Sequence, residues 1–210
     1  MMTQILPATS PHAIKQARRL LREGEAVAFP TDTVYGLGAN AFEHFAIRQI
    51  FALKKRPLEK GLPVFIYQID DLNLVARTVP NRAWPLLQKF WPGPLTVVLP
   101  KVAALPADVT GSQDTVAIRI PDHPVSLQLV AQFGRPLAVT SANISGQSTP
   151  MTAQAVADQL GPALPLVLDG GSSPSTQPST IIDLSVTPPR VLRHGPLTIE
   201  ALKEFLPDLA

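Results

Sequence analysis

The sequence predicts an α/β fold, a twisted mixed sheet flanked by helices. Three observations carry this. Apolar runs of strand length, such as Ala26 to Phe29, Leu95 to Leu99 and Leu137 to Thr140, alternate with stretches of helical periodicity. Some strands follow one another with no helix between them, which a purely parallel sheet does not allow. The 210 residues are 45% hydrophobic and 16% charged, a globular composition sized for one core. The expected organisation is one domain over residues 1–210.

Each element has a local reason. Ser10-Pro11 reads as an N-cap followed by proline at the first helical position. Ile14, Ala17, Leu20 and Leu21 then recur at helical spacing, and Gly24 closes the helix. Ala26 to Phe29 is the first strand. A second helix runs from Glu43 to Lys55, with Ile47, Ile50, Phe51 and Leu53 as its apolar side. Arg56-Pro57 ends it, because the residue before proline disfavours the α region.

Leu62 to Tyr67 reads as a strand, Asp70 to Ala76 as a short helix, and Asn81 to Phe90 as a further helix. Trp91-Pro92-Gly93-Pro94 is a rigid turn into the strand Leu95 to Leu99. Val102 to Asp114 reads as a loop, Thr115 to Ile120 as a strand, and His123 to Phe133 as a helix closed by Gly134. Leu137 to Thr140 is a buried strand, Ala153 to Leu160 a helix and Leu166 to Asp169 a strand. Gly170 to Pro178 is a Gly/Ser/Pro/Thr-rich loop rather than a domain linker, since only 32 residues follow it. Thr180 to Leu184 and Arg190 to Arg193 are short strands, and Ile199 to Phe205 is a closing helix.

Composition excludes several classes of chemistry. With no cysteine there are no disulfides, thiolate metal sites or cysteine nucleophile. The four histidines lack zinc spacing. No G-x-x-x-x-G-K-[ST] loop, G-x-G-x-x-G turn or nucleophile elbow is present. The net charge of +2 is no argument for nucleic acid. Met1 to Ser10 lacks a signal-peptide pattern, and no apolar run reaches the about 20 residues of a membrane helix. The expected location is the cytoplasm. The 23 prolines are about double the usual share and punctuate loops.

Four clusters can carry chemistry. Phe29 to Ala39 sets hydroxyls, a carboxylate and two glycines at a strand end. Such a cluster suits a ligand rim, with Gly36 and Gly38 allowing close backbone approach or positive φ; a plain strand and glycine turn is the alternative. Lys54, Lys55, Arg56 and Lys60 place four cations within seven residues, suited to a polyphosphate or, alternatively, to a solvated helix C-terminus. Thr140 to Gly146 follows a very apolar strand, where α/β sheets place ligands. Asn143 there could bind a ligand or shape a turn. Arg119 lies inside an apolar strand and needs a partner, either a ligand carboxylate or Asp32, Asp114 or Asp122. Ser179-Thr180 with Arg193 adds hydroxyls entering one strand and an arginine ending the next.

In this order, PTDTVYGLGANAF, KKRPLEKGL, WPGPLTVVL, TVAIRIPDHP, LAVTSANISG and STIIDL followed by VLRHG resemble the threonylcarbamoyl-AMP synthase family (YrdC/TsaC-like). The matches span residues 30 to 195 and include the paired K-x-R and S-x-N motifs, Lys54/Arg56 and Ser141/Asn143. The resemblance implies a YrdC-like sheet with a large basic concave cavity. It implies condensation of L-threonine, bicarbonate and ATP into threonylcarbamoyl-AMP with release of pyrophosphate. A separate complex then transfers the threonylcarbamoyl group to tRNA, giving t6A. By the same resemblance Thr33, Arg119 and Ser179 hold threonine, Arg119 through its carboxylate. Arg56, Thr115, Ser141 and Arg193 hold ATP, Lys54 and Asn143 meet phosphate and nucleotide, and Thr149 lies near the nucleotide.

Departures from the family pattern qualify the match. Asp32 stands where many relatives have Glu. Lys60-Gly61 replaces Asn-Pro, so Lys60 meets phosphate by charge. Phe65 replaces a ligand-side His of the two-domain relatives, and no threonine contact is carried onto it. The extra C-terminal domain of those relatives is not expected here, and Gly170 to Pro178 is the candidate lid. The chemistry fits this residue set. A carbamate is already an anionic nucleophile and needs no strong base. Lys54, Arg56 and Arg193 would stabilise charge as it attacks the α-phosphorus. Mg²⁺ would be held mainly by ATP and water. Two readings compete, an RNA-binding YrdC-like module and a paralogue acting on another carbamoyl substrate. The 6% aromatic content is poor for base stacking.

Overall fold

Alternation along the strands divides the protein into two apolar layers, one on each side of a single sheet. The computed structural model describes residues 2–210. In chain order the elements are β1 (Gln4–Pro7), α1 (Pro11–Arg22), β2 (Val27–Phe29), β3 (Gly36–Asn40), α2 (His44–Lys54) and β4 (Val64–Phe65). A 3₁₀ stretch (Ile69–Leu74), α3 (Ala83–Phe90), β5 (Leu95–Pro100), α4 (Ala107–Thr110), β6 (Thr115–Arg119) and α5 (Pro124–Phe133) follow. The chain continues through β7 (Leu137–Ser141), α6 (Ala153–Leu160), β8 (Leu166–Asp169), β9 (Thr180–Asp183), β10 (Arg190–Arg193) and α7 (Ile199–Lys203).

The strands form one ten-stranded sheet in the order β1-β8-β2-β3-β7-β4-β6-β5-β9-β10. β1, β8 and β2 run parallel, as do β4 with β6 and β5 with β9, while the other neighbours are antiparallel. The mixed sheet is as the sequence predicts.

On one face Ala28, Leu37, Val64, Val97, Ile118, Ala138 and Val167 pack with residues of α2, α3, α6 and α7. On the other, Val27, Phe29, Leu137, Val139, Leu166 and Leu168 pack under α1 and α5. This second layer stops at Phe65 and takes no buried residue from β5, β6 or β9. Beyond it the same face carries Arg119, opposite Phe65, and Thr96, one step further across the β5–β6 ladder. One half of the face is therefore dry and helix-covered, and the other half is polar.

Three findings differ from expectation, and a fourth decides between close approach and positive φ for Gly36 and Gly38. β1 and β3 are strands with no counterpart in the sequence reading. The expected strand Leu62 to Tyr67 shortens to two residues, and a helical turn sits inside the expected loop Val102 to Asp114. Neither Gly36 nor Gly38 has positive φ. They are needed for packing: a Cβ on Gly38 would lie 2.7 Å from Cε1 of Phe29, so the ring occupies the space a side chain would take.

Candidate functional site

The polar half of the face forms the floor of a cleft of about 150 Å³. Three guanidiniums line it, one per structural context. Arg119 ends β6, Arg193 ends β10, and Arg56 follows the C-terminus of α2. Two strand ends and one helix end thus bring their charge to one volume, and clustered cations of this kind suit an anionic ligand.

Arg119 is 3% exposed and fully connected to the protein on one side. Nε donates to Gly93 O at 2.9 Å, Nη1 to Thr33 Oγ1 at 3.1 Å and Nη2 to Asp32 Oδ1 at 2.6 Å. The guanidinium carbon lies 5.6 Å from the centroid of the Phe65 ring. Burial pushes its pKa below the ordinary value while the Asp32 charge raises it. The sequence left Arg119 open between a ligand carboxylate and an internal acid. Asp32 is that internal partner, and two further N–H groups remain for a ligand.

Arg193 donates from Nε to Ser179 O at 2.9 Å and from Nη2 to Ser179 Oγ at 3.1 Å. Burial lowers its pKa first, and the charges of Arg119 and Arg56 add to this, so the three cations feel one another. Arg56 donates from Nε to Lys60 O at 2.9 Å and from Nη2 to Gly61 O at 2.8 Å. Its own turn thus fixes it, and burial lowers its pKa too. Thr33, Ser141, Thr149 and Ser179 join the lining.

Four other expected site residues lie elsewhere. Lys54 is 1% exposed and outside the lining. Its ammonium donates to Ser141 O, to Asn143 O at 2.5 Å and to Asn143 Oδ1 at 3.3 Å. Asn143 is equally committed: Nδ2 donates to Ile144 O and Gln147 O, and Oδ1 accepts from Ser141 Oγ at 2.5 Å. The K-x-R and S-x-N motifs therefore meet, but through Lys54 and Asn143 holding the loop that presents Ser141. Lys60 is exposed and Thr115, at the start of β6, is half-buried; neither lines the cleft.

Three residues gain a place that the sequence did not assign. Thr96 is fully buried, and its Oγ1 lies 2.7 Å from Ser179 Oγ. Its signal was a hydroxyl in an otherwise apolar strand. Thr31 bonds Thr33 and Val34. Tyr35 donates to Gly171 O at 2.7 Å and accepts from Gly170 N at 3.1 Å, anchoring the start of the Gly170–Pro178 loop. That loop touches the site again where Ser175 N donates to Thr33 O at 3.2 Å, and Pro178 lines the cleft.

No helix among the described residues is long and apolar enough to cross a membrane. Among the same residues no group of three or more His, Asp or Glu side chains is placed to hold a metal ion.

Known proteins resemble this chain in sequence and fold. The chain is 42% identical over 196 residues to the threonylcarbamoyl-AMP synthase of Pyrococcus abyssi, covering 93% of this chain and 58% of that protein. It is 43% identical over 200 residues to the threonylcarbamoyl-AMP synthase of Bacillus subtilis, covering 95% and 58%. The chain thus spans somewhat over half the length of these two relatives. The crystal structure of P. abyssi Sua5 complexed with L-threonine superposes with a TM-score of 0.93 at 39% identity, covering 100% of this chain and 62% of that one. The family model Sua5_yciO_yrdC, described as telomere recombination, matches residues 19–195, and with that span and those identities the chain belongs to the Sua5/YciO/YrdC family.

Proposed function

We propose that this protein is an L-threonylcarbamoyladenylate synthase, a nucleotidyltransferase that joins L-threonine, bicarbonate and ATP with release of pyrophosphate. The observation that carries the reading is the convergence of Arg56, Arg119 and Arg193 on a cleft walled by buried hydroxyls. The carboxylate beside it, Asp32, is bonded to Arg119. A site of this kind supplies charge stabilisation and orientation rather than a general base.

The reaction asks for that set. The threonine amine condenses with bicarbonate to give a carbamate and water, or adds to CO2 to give the carbamate and a proton released to solvent. A carbamate oxygen then bonds to the α-phosphorus as the bond to pyrophosphate breaks. Both partners are anions, so juxtaposing them is the main cost, and fixed guanidiniums lower it. In this reading Thr33, Arg119 and Ser179 hold threonine, while Arg56, Ser141, Thr149 and Arg193 hold ATP. Lys54 and Asn143 act through the loop they build, and Lys60 and Thr115 reach the outer part of the nucleotide. Mg²⁺ enters on the triphosphate. The adenylate passes to a complex that transfers the threonylcarbamoyl group to tRNA for t6A formation. Residues 1–210 act as one YrdC-like unit, with Gly170 to Pro178 as lid.

The test is incubation with labelled bicarbonate, L-threonine and ATP. The expected result is the threonylcarbamoyl adenylate and an equal amount of pyrophosphate, both lost in Arg56→Ala with the fold intact. Steeply salt-dependent RNA binding with no pyrophosphate would replace this reading by an RNA-binding module.

A further inference from the structure

Two hydroxyl pairs, Thr31 with Thr33 and Thr96 with Ser179, line the cleft, and counting their protons gives them opposite polarity. Thr31 is 3% exposed, and its hydroxyl donates to Val34 O at 2.7 Å. Its proton is thereby committed. Thr33 Oγ1 lies 3.0 Å from Thr31 Oγ1, so in this contact Thr33 is the donor. Thr33 N also donates to Thr31 Oγ1, at 3.1 Å. Arg119 Nη1 fills one lone pair of Thr33 Oγ1. With its proton given away and one lone pair occupied, the Thr33 hydroxyl has a single lone pair left.

The second pair works the other way. Thr96 has no solvent exposure, and its hydroxyl has one partner among the described residues, Ser179 Oγ at 2.7 Å. A buried hydroxyl proton without an acceptor is strongly disfavoured, so Thr96 donates to Ser179. Arg193 Nη2 donates to the same oxygen. Both lone pairs of Ser179 Oγ are then filled, and its own proton is what remains for the cleft.

We infer that Thr31 and Thr96 are positioning residues that fix Thr33 as an obligate hydrogen-bond acceptor and Ser179 as an obligate donor. The site therefore selects a ligand that brings an N–H or O–H to Thr33 and an anionic or carbonyl oxygen to Ser179. A ligand amide N–H placed against Ser179 Oγ and the Arg193 guanidinium bonded to it meets donors. Specificity then comes from the mismatch imposed on wrong ligands as much as from contacts to the right one. The identity of that ligand as L-threonine rests on the function proposed above. The proton directions do not.

Two measurements test it. In an equal mixture of H2O and D2O, slowly exchanging hydroxyls split the attached Cβ resonance. The free protein should show split signals for Thr31, Thr33 and Thr96 and an averaged one for Ser179. A split Ser179 signal with an averaged Thr96 signal overturns the assignment. Calorimetry then compares L-threonine with L-threoninamide, which replaces a carboxylate oxygen by an N–H donor. Thr96→Val empties one lone pair of Ser179, so the preference for L-threonine should fall about fivefold, while Thr96→Ser restores it. Equal weakening of both ligands reduces Thr96 to packing and sinks its positioning role. If the wild-type protein takes up no L-threonine, the functional reading fails, and the isotope pattern still decides the proton directions.

Discussion

Lys54 and Arg119 are both cations with almost no solvent exposure, 1% and 3%, yet they are held in different ways. Lys54 ends a helix, and its ammonium donates to three oxygens of the Ser141–Asn143 segment. Three donors meet three acceptors, and nothing is left for a ligand. Arg119 ends a strand whose face opens on the cleft, and it meets one carbonyl, one hydroxyl and one carboxylate. Five donors meet three acceptors, and two remain. The lesson is that a buried cation next to a site is functional in the direct sense only if its donors outnumber its internal acceptors. Lys54 builds the wall, and Arg119 keeps two N–H groups that its internal partners do not take.

The widest separation should come from removing each charge. Lys54→Met strands Asn143 O and takes one donor each from Ser141 O, which keeps Asn143 N, and from Asn143 Oδ1, which keeps Ser141 Oγ, and the loop loses its anchor. The expected loss is about 3 kcal/mol or more of unfolding free energy in denaturant titrations. A loss below about 1 kcal/mol would show the loop to be self-supporting and return Lys54 to the phosphate role. The stability of Arg119→Met should fall less, because the Asp32 side chain is 14% exposed and can be hydrated.

The same comparison has a pH signature. Burial, and then the charge of Arg56, lower the Lys54 pKa from 10.5 to about 7. Between those values the unfolded chain binds a proton that the folded chain does not. The Lys54 contribution to stability therefore rises with pH across that window and is flat below about 7, where this group is protonated in both states. The limiting slope for one proton is about 1.4 kcal/mol per pH unit. The three oxygens around the ammonium oppose its deprotonation, so the measured slope should be smaller. It should vanish in Lys54→Met, and a slope unchanged in that variant would assign it to other groups.

Arg119→Met should act on the ligand side. The threonine requirement should rise about tenfold or more while the ATP requirement changes little, as for loss of a charge-assisted contact to one substrate. Equal effects on both would reassign Arg119 to structure, despite its two free N–H groups.

How far these roles were legible differs by residue, and the reason is physical. Helices such as α1 were readable because Ile14, Ala17, Leu20 and Leu21 repeat at a period that only a helix satisfies, and the structure buries that face. The strand β3 was not. Gly36 and Gly38 are poor strand formers, and what puts them there is the ring of Phe29, a tertiary neighbour whose position no local pattern encodes. The cleft was legible as a set of polar strand ends, and Thr33, Ser179, Arg56, Arg119 and Arg193 do converge on it. Lys54 and Asn143 were visible as chemistry, but the sequence does not say how many of their hydrogen bonds the protein keeps for itself. Thr96 was hidden in an apolar strand because its role depends on an ally 83 positions away.

Asp32 gives the finest cut between the two cations, since it belongs to one and has no counterpart at the other. Its Oδ1 accepts from Arg119 Nη2 at 2.6 Å, and its charge is the negative one set against a cluster of three guanidiniums. Asp32→Asn keeps the shape and one acceptor oxygen but removes the charge. Arg119 loses compensation for its burial, so stability should fall by about 1 kcal/mol. The cleft becomes more positive by one charge, so an anionic ligand such as ATP should bind about threefold tighter at low salt, with the gain fading as salt is added. Weaker anion binding in a folded variant would mean that Asp32 acts by holding Arg119 in register for the ligand, and that geometry outweighs charge at this position. Either sign separates the two cations further. Among the described residues no acidic side chain bonds Lys54, so its role stays tied to the carbonyls it gathers.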